Sequence, residues 1–123
     1  TKHPNKFKGL LEKRLKEELD QLNPKIDMSF MSFSPSAIWR MRNFPGRKVQ
    51  LLERRYTWIP KFHADVIAPS WDLVTEDWVK SCKARGQSMY VWTVNDPEVA
   101  KRLAGWGVDT LISDNPELIR NIL

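Results

Sequence analysis

Two helix starts near the C-terminus share one order of polar cap, proline and glutamate: Asp96-Pro97-Glu98 and Asn115-Pro116-Glu117. Each follows closely on a short apolar run, Ser88 to Val94 and Thr110 to Ile112. The cap oxygen satisfies a free N–H of the first turn, proline brings the right φ, and glutamate meets the positive end of the helix. A strand that passes almost directly into a capped helix, twice in succession, is the unit of a parallel sheet, because parallel neighbours need a crossover between them.

The rest of the chain repeats this unit with variations. Phe7, Leu10, Leu11, Leu15, Leu19 and Leu22 recur at three- and four-residue steps and predict a helix that ends at Asn23-Pro24. Ile26 to Phe33 reads as a strand, and Ser34-Pro35-Ser36 starts a helix carrying Ile38, Trp39 and Met41, broken at Phe44-Pro45-Gly46. Val49 to Leu52 is a strand, Arg54 to His63 a loop or a poor helix, and Ala64 to Ala68 a strand ending at Pro69. Thr75 caps a helix that runs through Arg85 and stops at Gly86; the helix opened by Asp96 ends near Gly105 and Gly107. These are five short strands at intervals of roughly twenty residues, the length of a parallel strand–helix unit.

Such a pattern builds an α/β fold, either a small open parallel sheet or part of a (β/α)8 barrel. In both, the C-terminal strand ends share one edge, and ligands bind there. That edge is predicted to carry Ser32, Phe33, Glu53, Ser70, Trp71, Trp92, Asn95, Ser113 and Asp114. The chain has 123 residues, enough for one domain with a core, and residues 1–123 read as that single domain. A closed barrel takes about 250 residues.

Composition narrows the partners. The net charge of +5 suits an anionic ligand, but much of the excess lies in Lys2 to Lys16, which also holds Glu12, Glu17 and Glu18. No basic run is interleaved with aromatics on one element, so a nucleic-acid partner is not expected. The six tryptophans are spread along the chain, and Trp39, Trp78 and Trp106 fall on predicted helices as packing groups. Cys82 is the only cysteine, which excludes an intrachain disulfide and fits a reducing compartment; it is expected to be a packed or half-exposed thiol. No apolar run reaches membrane-spanning length. A cytoplasmic protein is the expectation, although the opening on Thr1 leaves room for a removed upstream segment, a secretion signal included.

Trp92-Thr93-Val94-Asn95, followed by Gly107-Val108-Asp109-Thr110-Leu111-Ile112-Ser113-Asp114-Asn115-Pro116, resembles the C-terminal signature of the glycerophosphodiester phosphodiesterases. There a V-W-T-V-N strand precedes a helix and then G-V-D-G-I-I-T-D-x-P; Thr110 and Ser113 stand where the family often has Gly and Thr. Phe30 to Pro35 is similar to the family's Ser-Phe strand end, and Ala64 to Pro69 falls in order. The resemblance runs from about Lys6 onward. It implies a TIM-barrel-type (β/α)8 fold of which this chain supplies about strands four to eight, a half barrel.

The resemblance further implies a hydrolase of lipid and glycerol metabolism. The complete enzyme hydrolyses glycerophosphodiesters to an alcohol and glycerol 3-phosphate, using a divalent cation, Mg²⁺ or Ca²⁺. The family's chemistry rests on a His-Arg-Gly strand end, a Glu-x-Asp pair, a His-Asp pair and a Glu-x-Lys strand. This set of strand motifs is not matched in this sequence, and His3 and His63 sit in other contexts and read as surface or loop histidines. No residue is therefore assigned as catalytic or as a metal ligand, and the chain alone is expected to be inactive. The alternative is a non-catalytic α/β binding or interaction module derived from the same barrel.

Four residues remain as candidate substrate contacts: Trp92, Ser32, Phe33 and Asn95. The resemblance places Trp92 on the substrate cleft, where its ring forms an apolar wall; the alternative is a core tryptophan under the next helix. Ser32 and Phe33 supply a hydroxyl and a second wall, or else strand-end packing. Asn95 reads equally as the residue that ties down its turn. Arg54-Arg55 could meet a phosphate oxygen or remain solvated, and Trp71 borders the same cleft. A half barrel has two open strand edges, so the missing N-terminal half or a self-associated second copy is the expected partner.

Overall fold

The computed structural model describes residues 9–22, 25, 27–54, 59 and 63–123. Five strands form one sheet in the order β1 (Ser29–Ser32), β2 (Arg47–Leu52), β3 (Val66–Pro69), β4 (Ser88–Val91) and β5 (Thr110–Leu111). Every pairing is parallel, with registers such as Met31 to Val49, Gln50 to Ile67, Ile67 to Met89 and Val91 to Leu111. The helices are α1 (Leu10–Leu22), α2 (Pro35–Arg40), α3 (Glu76–Ala84), α4 (Pro97–Trp106) and α5 (Pro116–Ile122). The sheet is open, since β1 and β5 each pair on one side only.

The caps fall where sequence chemistry puts them. Ser34, Thr75, Asp96 and Asn115 accept the N–H groups of Ala37, Trp78, Glu98 and Leu118 through their side-chain oxygens. Gly107 closes α4 at φ 88°, a left-handed conformation that a Cβ would oppose. The strands are shorter than expected, except β2, which starts two residues early at Arg47. Ile26 to Phe33 contracts to Ser29–Ser32, and Ser88 to Val94 contracts to Ser88–Val91. Past Val91 the chain keeps pairing locally: Trp92 bridges Ser70, and the N–H of Val94 donates to the Ile112 carbonyl at 2.8 Å. A single 3-10 turn, Trp71–Leu73, was not anticipated; it follows the Pro69 strand end, and the Val74 N–H closes it on the Trp71 carbonyl. Phe7, Asn23-Pro24, Ile26 and much of the expected 54–63 loop lie outside the described residues.

Strand alternation separates two apolar faces. Leu52, Ile67, Met89 and Val91 point toward the helices and pack with Trp78, Val79, Cys82, Leu103 and Ile119. Val49, Val66 and Ala68 point the other way, with Met31, Leu51, Tyr90 and Trp92 around them. No helical residue belongs to this second cluster, yet Val49, Val66 and Ala68 are at most 1% exposed.

The first helix departs from its pattern. Leu15 and Leu19 pack against the cluster of Ile38, Met41 and Phe44, but Leu11 and Leu22 are 44% and 73% exposed. The buried residue of α1 is Glu12, whose Oε1 accepts from Arg40 Nη2 at 2.8 Å. The ion pair sets the roll of the helix, and part of the leucine stripe is left facing outward. Trp39 differs from expectation as well: it is 49% exposed with the Arg42 guanidinium 4.7 Å over its ring, so it packs on a cation rather than in the core. Trp78 is buried and Trp106 half-buried against the helix-side core, as packing groups.

Candidate functional site

All five strands run the same way, so their C-terminal ends share one edge. Phe33 follows β1 and, by alternation, shares the face of Met31. Trp92 follows β4 on the same face. Their ring centroids lie 5.7 Å apart at 84°, an edge-to-face contact. In sheet order β2 and β3 stand between them, a span of about 14 Å in a flat sheet. Curling of the sheet and inward lean of both rings bring them together across the mouth of the concave face.

Trp92 is held at three points. Its N–H donates to the Pro69 carbonyl, its carbonyl accepts the Trp71 N–H, and its indole Nε1–H donates to the Ala68 carbonyl at 2.6 Å. The ring is therefore oriented by β3 and remains half-buried.

Ser32 is placed differently from Phe33. It is 0% exposed, and its hydroxyl accepts the N–H of Ser34 at 3.1 Å, so it holds the turn into α2 from beneath. Asn95 is exposed and fully engaged. Its Oδ1 accepts from the Ser113 hydroxyl and the Asp114 N–H, both at 3.0 Å, and its Nδ2 donates to Asp114 Oδ2 at 2.9 Å. The Ser113 hydroxyl in turn accepts the Asn115 N–H. This network joins the loop after β4 to the loop after β5. Trp71, 40% exposed, borders a depression of about 260 Å³ with Thr93, Val94, Asn95, Asp96 and Val99.

Glu53 and Arg54 are exposed beyond β2, while Arg55 and His3 lie outside the described residues. Sequence reasoning set His63 aside as a surface or loop residue; it is half-buried, and its Nε2 lies 3.1 Å from Gln50 Oε1 on the helix side of the sheet. Burial lowers its pKa below the ordinary histidine value. Gln50 was missed altogether. It is 3% exposed, and its amide nitrogen donates to the carbonyls of Ser32 and Phe33. A polar residue inside the run Val49-Gln50-Leu51-Leu52 was the available signal. Cys82 is buried, and burial raises its pKa, which makes it an inert packed thiol.

Among the described residues no three His, Cys, Asp or Glu side chains converge where they could hold a metal ion. Asp114 is committed to Asn95 and Asp96 to the cap of α4. The described residues do not fit a divalent cation, which needs clustered carboxylate oxygens.

A model of the Glycerophosphoryl diester phosphodiesterase family matches residues 3–118, nearly the whole chain. The chain belongs to that family. A glycerophosphodiester phosphodiesterase of Caldanaerobacter subterraneus is 30% identical over 63 residues, 51% of this chain and 26% of the relative. One of Arabidopsis thaliana is 28% identical over 60 residues, 49% of this chain and 18% of the relative. The fold matches a phosphodiesterase of Oleispira antarctica, solved in complex with the product sn-glycerol-3-phosphate, with a TM-score of 0.80 at 20% identity. It also matches a glycerophosphodiester phosphodiesterase of Parabacteroides distasonis, with a TM-score of 0.73 at 22% identity. These matches cover 93% and 91% of this chain but only 50% and 48% of those structures. The open five-stranded sheet thus corresponds to about half of the family's barrel. The family's reaction is metal-dependent. Among the described residues no helix is long and apolar enough to cross a membrane.

Proposed function

We propose that this chain is the C-terminal half of a glycerophosphodiester-hydrolysing barrel and supplies one wall of the substrate cleft. The observation that carries the reading is the Phe33–Trp92 pair across the strand-end edge, in a chain that belongs to the phosphodiesterase family. Two aromatic rings give an apolar surface for the glycerol or headgroup carbons, while the phosphate stays toward the open side of the cleft. Asn95 and Ser113 brace the rim beside Trp92, and Ser32 supports Phe33 from below rather than reaching the substrate.

Hydrolysis of a phosphodiester needs its oxygens neutralised, a nucleophile, and a proton for the leaving alcohol. The divalent cation, Mg²⁺ or Ca²⁺, supplies the first when bound. The cation ligands and the acid and base come from polypeptide outside these 123 residues. The products of the complete protein are an alcohol and glycerol 3-phosphate. A single, buried thiol supports a cytoplasmic setting.

The partner is the other half of the barrel. Supporting this, β1 and β5 keep free edges. A groove of about 160 Å³ lined by Leu11, Leu15, Phe30, Met31 and Met41 lies beside β1. Leu11, exposed on α1, belongs to this groove. A second copy of the chain would meet the same need, and sedimentation as a compact, well-folded monomer counts against both partners.

The test has two arms. Titration of the purified chain with sn-glycerol 3-phosphate is expected to perturb the Trp92 indole resonance, and no response at millimolar ligand overturns the cleft assignment. Glycerophosphocholine hydrolysis is expected to be undetectable for the chain alone, and turnover by it, free of other polypeptide, overturns the division of labour. A non-catalytic binding module is the alternative; ligand binding with no gain of activity on adding the complementary barrel half would favour it.

A further inference from the structure

Gln50 is a buried amide in the apolar run Val49 to Leu52, and two of the carbonyls its side chain meets lie at the end of β1. Its Nε2 lies 3.2 Å from the Ser32 carbonyl and 3.1 Å from the Phe33 carbonyl. A third carbonyl, that of Leu51, lies at 3.1 Å. Carbonyl oxygens only accept, so the amide nitrogen must face them, and Gln50 Oε1 is turned to His63. That oxygen also only accepts, so His63 Nε2, 3.1 Å away, carries the hydrogen. The imidazole thus locks the amide in the one orientation that can hold the two β1 carbonyls.

We infer that Gln50, oriented by His63, is a positioning residue that fixes the backbone at Phe33 and so sets the Phe33 ring against Trp92. Gln50 lies on the helix side of the sheet and Phe33 on the concave side, so the influence passes through the main chain. Releasing the amide frees the strand end to shift, and a 5.7 Å ring contact does not survive a displacement comparable to a rotamer change. The inference rests on the reading of Phe33 and Trp92 as the cleft wall only for its functional meaning; the geometry stands without it.

The experiment is a set of ¹⁵N–¹H spectra of the tryptophan indoles in the chain, with the Trp92 signal assigned by its loss in Trp92→Phe. Gln50→Met and His63→Phe are expected to move the Trp92 signal while those of Trp78 and Trp106, packed in the helix layer, stay in place. His63→Gln supplies an amide donor to the same oxygen and is expected to restore the wild-type position. If Gln50→Met does not fold, the two His63 variants decide. A Trp92 signal unmoved in a folded Gln50→Met or His63→Phe overturns the inference. So does loss of dispersion in all three variants, because the pair would then carry the fold rather than the wall. Titrating the wild type with sn-glycerol 3-phosphate separates the two readings: no response of Trp92 there, with movement in the variants, leaves the positioning role intact and removes the cleft.

Discussion

Replacing Trp92 by phenylalanine removes one atom group with a defined task. The phenyl ring keeps the apolar contact toward Phe33, but the indole N–H that donates to the Ala68 carbonyl at 2.6 Å is gone. Ala68 is 0% exposed. Ala68 is also paired along β2, so the loss is that of one hydrogen bond at a buried carbonyl, about 0.5–1.5 kcal/mol net. Trp92→Phe is therefore expected to destabilise by about 1 kcal/mol. Trp92→Ala also loses the edge-to-face contact with Phe33, about 0.5–1.5 kcal/mol. Loss of packing adds to this, for a total of about 2–4 kcal/mol, below the cost for a fully buried tryptophan. Urea unfolding reads both. With a slope of about 1–3 kcal/mol per molar, Trp92→Phe lowers the midpoint by roughly 0.3–1 M. A Trp92→Phe variant within about 0.5 kcal/mol of the wild type, the range of ordinary surface changes, refutes the indole bond as the anchor. A Trp92→Ala variant no worse than Trp92→Phe refutes the ring contact.

Four further expectations follow from other parts of the molecule. Burial pushes the Glu12 carboxyl up, but the hydrogen bond and charge of Arg40 and a backbone N–H outweigh it and leave its pKa lowered. A lowered carboxylate contributes stability above its unfolded pKa and loses it as pH falls through the folded value. The urea midpoint of the wild type should therefore fall more steeply below about pH 4.5 than that of Glu12→Gln; parallel curves would contradict the pairing. Arg40→Ala, which leaves Glu12 buried and unpaired, should cost about 1–3 kcal/mol at neutral pH, reduced from the fully buried case by the partial exposure of Arg40. Gly107→Ala, at φ 88°, should lower stability by about 1–2 kcal/mol in the same assay. The Cys82 thiol, buried and raised in pKa, should react with a disulfide reagent only as fast as the chain opens, and immediate labelling of the native chain would contradict its packing.

Much of this architecture was legible because the local signals agree with one another. A polar cap, a proline and a glutamate specify a helix start whatever surrounds them, and the caps at Ser34, Thr75, Asp96 and Asn115 fall where they are read. Strand ends were less legible, since pairing stops where neighbours diverge rather than where apolar residues run out. The aromatic candidates of the site were legible as types in a position. Ser32 and Asn95 were legible as polar groups at a strand end, but not their partners: Ser32 turns under the wall to hold Ser34, and Asn95 is spent on Ser113 and Asp114. Gln50 and His63 lie thirteen residues apart in the chain, and only folding brings them to 3.1 Å.

By itself the sequence determined the alternation of strand and helix, the parallel sheet this implies, and the family signature from Trp92 to Pro116. These follow from covalent neighbours and from residue types at short spacing. Only the tertiary structure decided how far the sheet curls, that Phe33 meets Trp92 across two intervening strands, that Glu12 rather than Leu11 turns inward on α1, and that a buried amide holds the end of β1. Each of those depends on contacts between segments distant in the chain, where a buried ion pair or hydrogen bond outweighs the preference of a single side chain.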